Sequence, residues 1–255
     1  MHIRSAAATT AGTLAVLSLS APAAQADTHK GDTVFTSVTF SKSTVSIGVS
    51  KAQRFTATAI AKDNSGIQRI APGKLWSPDR RITFAKSDNC TRPTSTTMKC
   101  TFTYSVDADA ADYANLTNAD AGTWHFDAEA VSNDQDFYSL GTDRTVKVKR
   151  IAQLTATQAS PEPVTKGHSL TVTGTLTRAD WNTNAYVGFG AQHVALQFKK
   201  SGSSSYSTVK TVTTSSTGKL KTTVTANSAG TWRWNFAGTS TTTAVTATGD
   251  SVALK

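Results

Sequence analysis

The feature that most restricts this chain is a period of two. Met98, Cys100, Phe102, Tyr104 and Val106 alternate with polar residues, as do Leu170, Val172, Gly174 and Leu176, and again Val194, Leu196 and Phe198. Successive side chains of an extended strand point to opposite faces, so each run has one dry face and one wet one. Thr, Ser and Val abound, and long helical periodicities are absent apart from a short helix suggested by DADAADYANL near Asp107 to Ala114. Dry faces of this kind are buried sheet against sheet. The pattern predicts an all-β protein made of antiparallel β-sandwiches.

Internal similarity divides the chain in two. AGTW occurs as Ala121–Trp124, followed by HFDAEA, and as Ala229–Trp232, followed by RWNFAG. In the first copy Trp124, Phe126, Ala128 and Ala130 share one face while His125, Asp127 and Glu129 share the other; Trp232, Trp234 and Phe236 repeat the pattern. Upstream, VSKAQRFTATAI (49–60) aligns without a gap on VTKGHSLTVTGT (164–175). The landmarks recur in the same order, which predicts one unit over 27–150 and a second over 151–255. Thr155 to Pro163 then reads as the first edge strand or linker of the second unit. A Gly two residues before a Trp suits a tight turn feeding a strand whose first large side chain enters the core. Trp124 and Trp232 are expected to be scaffold, each contributing about 2–3 kcal/mol of apolar burial, rather than exposed sugar-stacking rings.

The run TLTRADW (175–181), then VALQFK (194–199), AGTWR (229–233) and GDSV (249–252), resembles the bacterial immunoglobulin-like modules of secreted actinobacterial proteins. The resemblance covers most of 151–255. In the first unit it is confined to the Gly-x-Trp strand and the early alternating strand. It implies tandem immunoglobulin-like sandwiches and extracellular work, and transfers no catalytic residue.

A basic start at His2 and Arg4, an apolar stretch around Gly12 to Leu19 and the small-x-small run Ala24-Gln25-Ala26 predict an export signal over residues 1–26 and a mature chain from Asp27. The stretch is too short for a stable membrane span. No Cys adjoins the leader to take a lipid and no second apolar run lies near the C-terminus, so the expectation is a secreted, extracellular protein without a membrane span. Residues 151–255 carry nine basic and three acidic side chains, against 16 and 14 in 27–150. Such a field attracts anionic polymers, among them cell-wall or extracellular polysaccharide, or simply keeps the protein soluble; it names no specific nucleic acid. Cys90 and Cys100, in a chain bound for an oxidising space, are expected to form a disulfide.

Catalytic patterns are thin. The histidines after residue 26 are His29, His125, His168 and His193, with no His-x-x-x-His spacing, and no Gly-x-Ser-x-Gly occurs. The expectation is a non-enzymatic binding or structural module, with an enzyme of unrecognised type third. Two candidate sites stand out. The segment WNTNAYVGF places Trp181, Asn182, Asn184 and Tyr186 in a connecting loop, where rings stack on sugars and amides bond hydroxyls, or where Trp181 and Tyr186 cap the core. Asp127 and Glu129, with Asp134 and Asp136 a few residues on, offer oxygen ligands for calcium, the alternative function. Same-face strand residues lie about 6.8 Å apart, so one ion needs a loop folding back, from Asp107, Asp109, Asp112 or Asp120. A solvated polar face is the plainer reading. The LWSPDRR run (75–81) is a further place where arginines can meet an acidic partner.

Overall fold

The structure, a computed structural model, describes residues 26–71, 73–79, 81–109, 116–141 and 143–255. The expected export signal lies outside these residues up to Gln25, as do residues 110–114 of the suggested helix. Among the described residues the regular structure is strand, joined by one 3-10 turn at Asn118–Asp120.

In the first half, Gln53–Lys62 and Thr97–Val106 pair antiparallel at the centre of a sheet flanked by Val34–Phe40 and Ser87–Thr94. Facing it is a sheet in the order Thr44–Ile47, Thr145–Arg150, Gly122–Asp127, Lys74–Trp76, Ile82–Phe84. Its first pair is parallel, a departure from the antiparallel expectation. Glu129–Ser132 pairs with Phe137–Ser139 and Ile67–Ile70 in a third sheet. The alternating run after Gly122 therefore changes sheets at Ala128 while keeping its dry face inward, with Trp124, Phe126, Ala128 and Ala130 all buried.

In the second half the long strand Ser169–Asp180 also serves two sets of partners. Its first part pairs with Gln158–Ser160 and Lys219–Thr225, its last part with Ala152–Leu154 and Ala185–Gly188. The facing sheet centres on His193–Lys200 and Gly230–Phe236. The two aligned segments thus both supply a central strand, and Phe55, Ala57 and Ala59 point into one core as Leu170 and Val172 do into the other. The fold class is all-β, in two sandwiches. Gln158–Ser160, inside the stretch read as edge strand or linker, is a paired strand.

Both AGTW tryptophans are core residues, Trp124 wholly and Trp232 almost wholly buried. Their glycines are required for different reasons. Gly122 has φ +149, a backbone conformation that side chains disfavour, whereas a Cβ on Gly230 would lie 2.3 Å from the Lys199 carbonyl oxygen. Cys90 and Cys100 stand directly opposite each other on adjacent strands and form the expected disulfide. It ties the exposed edge strand Ser87–Thr94 to the buried Thr97–Val106.

Candidate functional site

The four residues read as a sugar-binding loop are drawn together, at the junction of the two sandwiches. Trp181–Asn184 is the tip of the hairpin between Ser169–Asp180 and Ala185–Gly188. Asp180 shapes this tip: its Oδ1 accepts the amides of Asn182 and Thr183 at 3.0 and 3.1 Å. Asn184 closes it at φ +50, a conformation asparagine tolerates better than most residues. The tip enters the first sandwich. Trp181 is 2 % exposed and, with Ala179, belongs to the same buried cluster as Ile47, Val106 and Trp124, while Tyr186 packs against that cluster. A ring packed in this way offers no face to a sugar, so the structure replaces the stacking role with the core-capping one. The physical cause is a contact 134 residues away: Trp181 Nε1 donates to the Ile47 carbonyl at 3.4 Å.

Polar groups complete the seam. Asn118 Oδ1 accepts the Trp181 amide at 3.0 Å, Asn182 Oδ1 accepts the Asn118 amide at 2.8 Å, and Asn184 Nδ2 donates to Asp109 at 3.0 Å. The connecting backbone is bonded on both sides. Ile151 donates to Ile47 O at 2.9 Å and accepts from Ala179 at 2.8 Å. Arg150 exchanges amide and carbonyl bonds with Thr241 and Thr243, and Lys149 Nζ reaches Thr239 O at 2.6 Å. Arg150 is nearly buried with its Nε unpartnered; burial, helped by the charge of Arg178 and opposed by Asp180, lowers its pKa to about 10, so it stays cationic at neutral pH.

Asp120 supports this seam from within the first sandwich. It is fully buried, accepts from the Thr117 amide at 2.8 Å and from Ser77, and pairs with Arg81 Nε at 3.0 Å. Burial alone would raise its pKa; Ser77, the Thr117 amide and Arg81 together outweigh that and hold it below the ordinary carboxylate range. Arg81, read from sequence as a cation for an acidic partner, meets its acid inside the molecule. Arg80 lies outside the described residues, as does Asp112.

The four acids read as calcium ligands do not converge. Glu129 pairs with Arg69 at 3.3 Å, Asp136 with Lys30 at 3.5 Å, and Asp127 stands opposite Lys74. Asp134 alone joins an acidic group, with Asp32 and Asp63, whose carboxylate oxygens lie within 4.8 Å of one another. Asp109 and Asp120, weighed as loop ligands, are engaged at the junction and with Arg81. Asp63 is buried, accepting from Thr33 at 2.6 Å and from Ser65 at 2.6 and 2.8 Å. Burial pushes the Asp63 carboxyl up, but the Ser65 and Thr33 bonds hold it low; burial and then the Asp63 charge push Asp32 up. Asp32 and Asp63 escaped the sequence reading because the three loops are brought together only by sheet pairing. Their local sequences, KGDT and KDNSG, read as ordinary turns.

No protein-family model matches the chain, and no curated protein matches it. Solved structures are similar in part. A DUF4785 family protein from Legionella pneumophila shares 12 % identity at TM-score 0.36, over 77 % of this chain and 51 % of that one, so the match spans about half of that protein. The D00-D0 domain of intimin shares 12 % at TM-score 0.28, over 84 % and 98 %, and the D0-D1 domain of intimin 16 % at 0.28, over 86 % and 98 %.

Proposed function

We propose that the chain is a secreted, non-enzymatic structural module, in which two β-sandwiches are locked into one body so that surfaces on the second are held at a fixed orientation to the first. The observation that carries this reading is Trp181, a residue of the second sandwich buried in the core of the first. A flexible linker would leave such a ring exposed; here the ring, the bonds of Asn118 to Asn182 and Trp181, and the Ile47 carbonyl that accepts from both Trp181 and Ile151 act on the same few residues. Apolar burial of Trp181 and Ala179, with Tyr186 packed beside them, opposes the relative motion that is the default for neighbouring domains. Extracellular placement is supported by the cross-strand disulfide. Among the described residues no helix is long and apolar enough to cross a membrane. Calorimetry of the 27–255 chain tests the reading: it gives one cooperative transition, and Trp181→Ala separates it into two. Two independent transitions in the unaltered chain would refute it.

The second reading is a calcium-dependent module, favoured by the Asp32, Asp63 and Asp134 carboxylates. Oxygen ligands from three loops suit a hard cation, which would offset the repulsion among the three carboxylates. In that case millimolar calcium raises the melting temperature of the unaltered chain and not of Asp63→Asn/Asp134→Asn. An equal shift in both discards it.

A further inference from the structure

The outward face of the His193–Lys200 and Gly230–Phe236 pair differs from the rest of the surface. Val194, Leu196, Trp232, Trp234 and Phe236 point inward, which turns Gln197, Lys199, Thr231, Arg233 and Asn235 outward in one register, Gln197 opposite Arg233 and Lys199 opposite Thr231. Two cations are fixed here around one ring. The Arg233 guanidinium carbon lies 3.6 Å and Lys199 Nζ 5.1 Å from the Tyr206 ring centre, and Arg233 Nε donates to Gln197 Oε1 at 2.9 Å. Among the described residues no carboxylate lies within ion-pair distance of either cation. The three acids of 151–255 lie elsewhere: Asp180 at the junction, Glu162 in the turn after Ser160, and Asp250 opposite inward-facing Trp232, its carboxylate accepting the Ala159 amide at 2.7 Å.

We infer that this face binds an acidic polysaccharide, with Arg233 and Lys199 meeting successive carboxylates and Thr231, Asn235, Thr246 and Ser251 meeting hydroxyls. Charge complementarity selects an anion. The two cations stand at diagonal positions on neighbouring strands and converge on one ring, so they present two positive charges side by side to a polymer that carries repeated anionic groups. Arginine ordinarily loses rotamer freedom when it binds; stacking on Tyr206 and the Gln197 bond remove that freedom beforehand. The surrounding side chains are hydroxyls and amides, Thr246 donating to Asn235 at 2.6 Å and Thr231 and Ser251 sharing a bond at 3.0 Å. Such a face does not suit a lipid. A single-stranded nucleic acid binds through free aromatic faces, and one face of Tyr206, the ring at this site, is already taken by Arg233. The inference rests on the reading of the chain as a presenting module, since the face is useful only when held out by a rigid body.

The opposite sheet provides the control. Lys219 and Lys221 are exposed there, opposite Thr175 and Thr173, and match the charge of the first pair without a fixing ring. The 27–255 chain is passed over immobilised polygalacturonate, neutral dextran and duplex DNA at fixed salt, with melting temperatures recorded for every variant. Lys199→Ala/Arg233→Ala weakens retention on polygalacturonate by about tenfold or more, as expected for two lost charge-assisted bonds. Lys219→Ala/Lys221→Ala changes it less than about twofold, and Tyr206→Phe, which keeps the ring, stays near the unaltered chain. Equal losses in the two double variants, duplex DNA held as tightly as polygalacturonate, or no retention overturns the inference. Trp181→Ala separates the two proposals: it loses rigidity and retains the polymer.

Discussion

At the scale of single residues, the buried carboxylate Asp120 is one of the groups through which the molecule responds to acid. Its folded pKa is depressed, so it contributes stability above its unfolded value near 4 and loses it as pH falls through the lower folded value. The melting temperature is therefore expected to fall as the pH drops below about 4, the ordinary carboxylate value, and to fall less steeply in Asp120→Asn. That variant is itself destabilised by about 1–3 kcal/mol at neutral pH, because Arg81 and the Thr117 amide lose a charged acceptor. Equal acid slopes in both proteins would contradict the assignment. Gly230 makes a second residue-scale case. Alanine there forces the Lys199 carbonyl or the Phe198 ring aside, at about 1–3 kcal/mol read from the denaturant midpoint. The sequence announced that these glycines matter through the repeated AGTW, yet not why. Positive φ at Gly122 and close approach at Gly230 are facts of backbone packing that identical letters hide.

At the scale of elements, the alternation of Met98 to Val106 and Leu170 to Leu176 was legible because burial of one strand face acts locally on every second residue. The change of sheets at Ala128 was not legible, since Trp124, Phe126, Ala128 and Ala130 keep their period straight through it. The sequence left Trp181 open between sugar stacking and core capping for a related reason. Aromatics and amides in a hairpin tip look alike whether they face solvent or another sandwich, and only the Ile47 carbonyl, far off in sequence, decides. The disulfide is an element-scale device as well. Ser87–Thr94 is exposed along its whole length and pairs on one side only, so Cys90–Cys100 holds an edge that has little core of its own. Reduction, or Cys90→Ser/Cys100→Ser, is expected to lower stability by about 2–3 kcal/mol in denaturant unfolding, the chain-entropy value for a loop of this size. An unchanged midpoint would mean that strand pairing alone secures the edge.

At the scale of the whole molecule, the two buried clusters would ordinarily behave as two folding units, each with its own tryptophans. The hairpin tip Trp181–Asn184 overrides that independence by placing a residue of one unit in the cluster of the other. The division near residue 150 that the repeats suggest runs through Arg150, a residue bonded to the 241–243 loop as firmly as to its own strand. Truncating the indole in Trp181→Ala is expected to cost about 3–5 kcal/mol and to free the units from each other. Rigidity is also what gives the Arg233 face a fixed direction. The most direct measurement is backbone 15N relaxation of the 27–255 chain, from which a rotational diffusion tensor is fitted separately to each sandwich. One shared tensor, appropriate to a single body, is the expected result, with Trp181→Ala giving faster and unequal tumbling. Two distinct tensors in the unaltered chain would contradict the account.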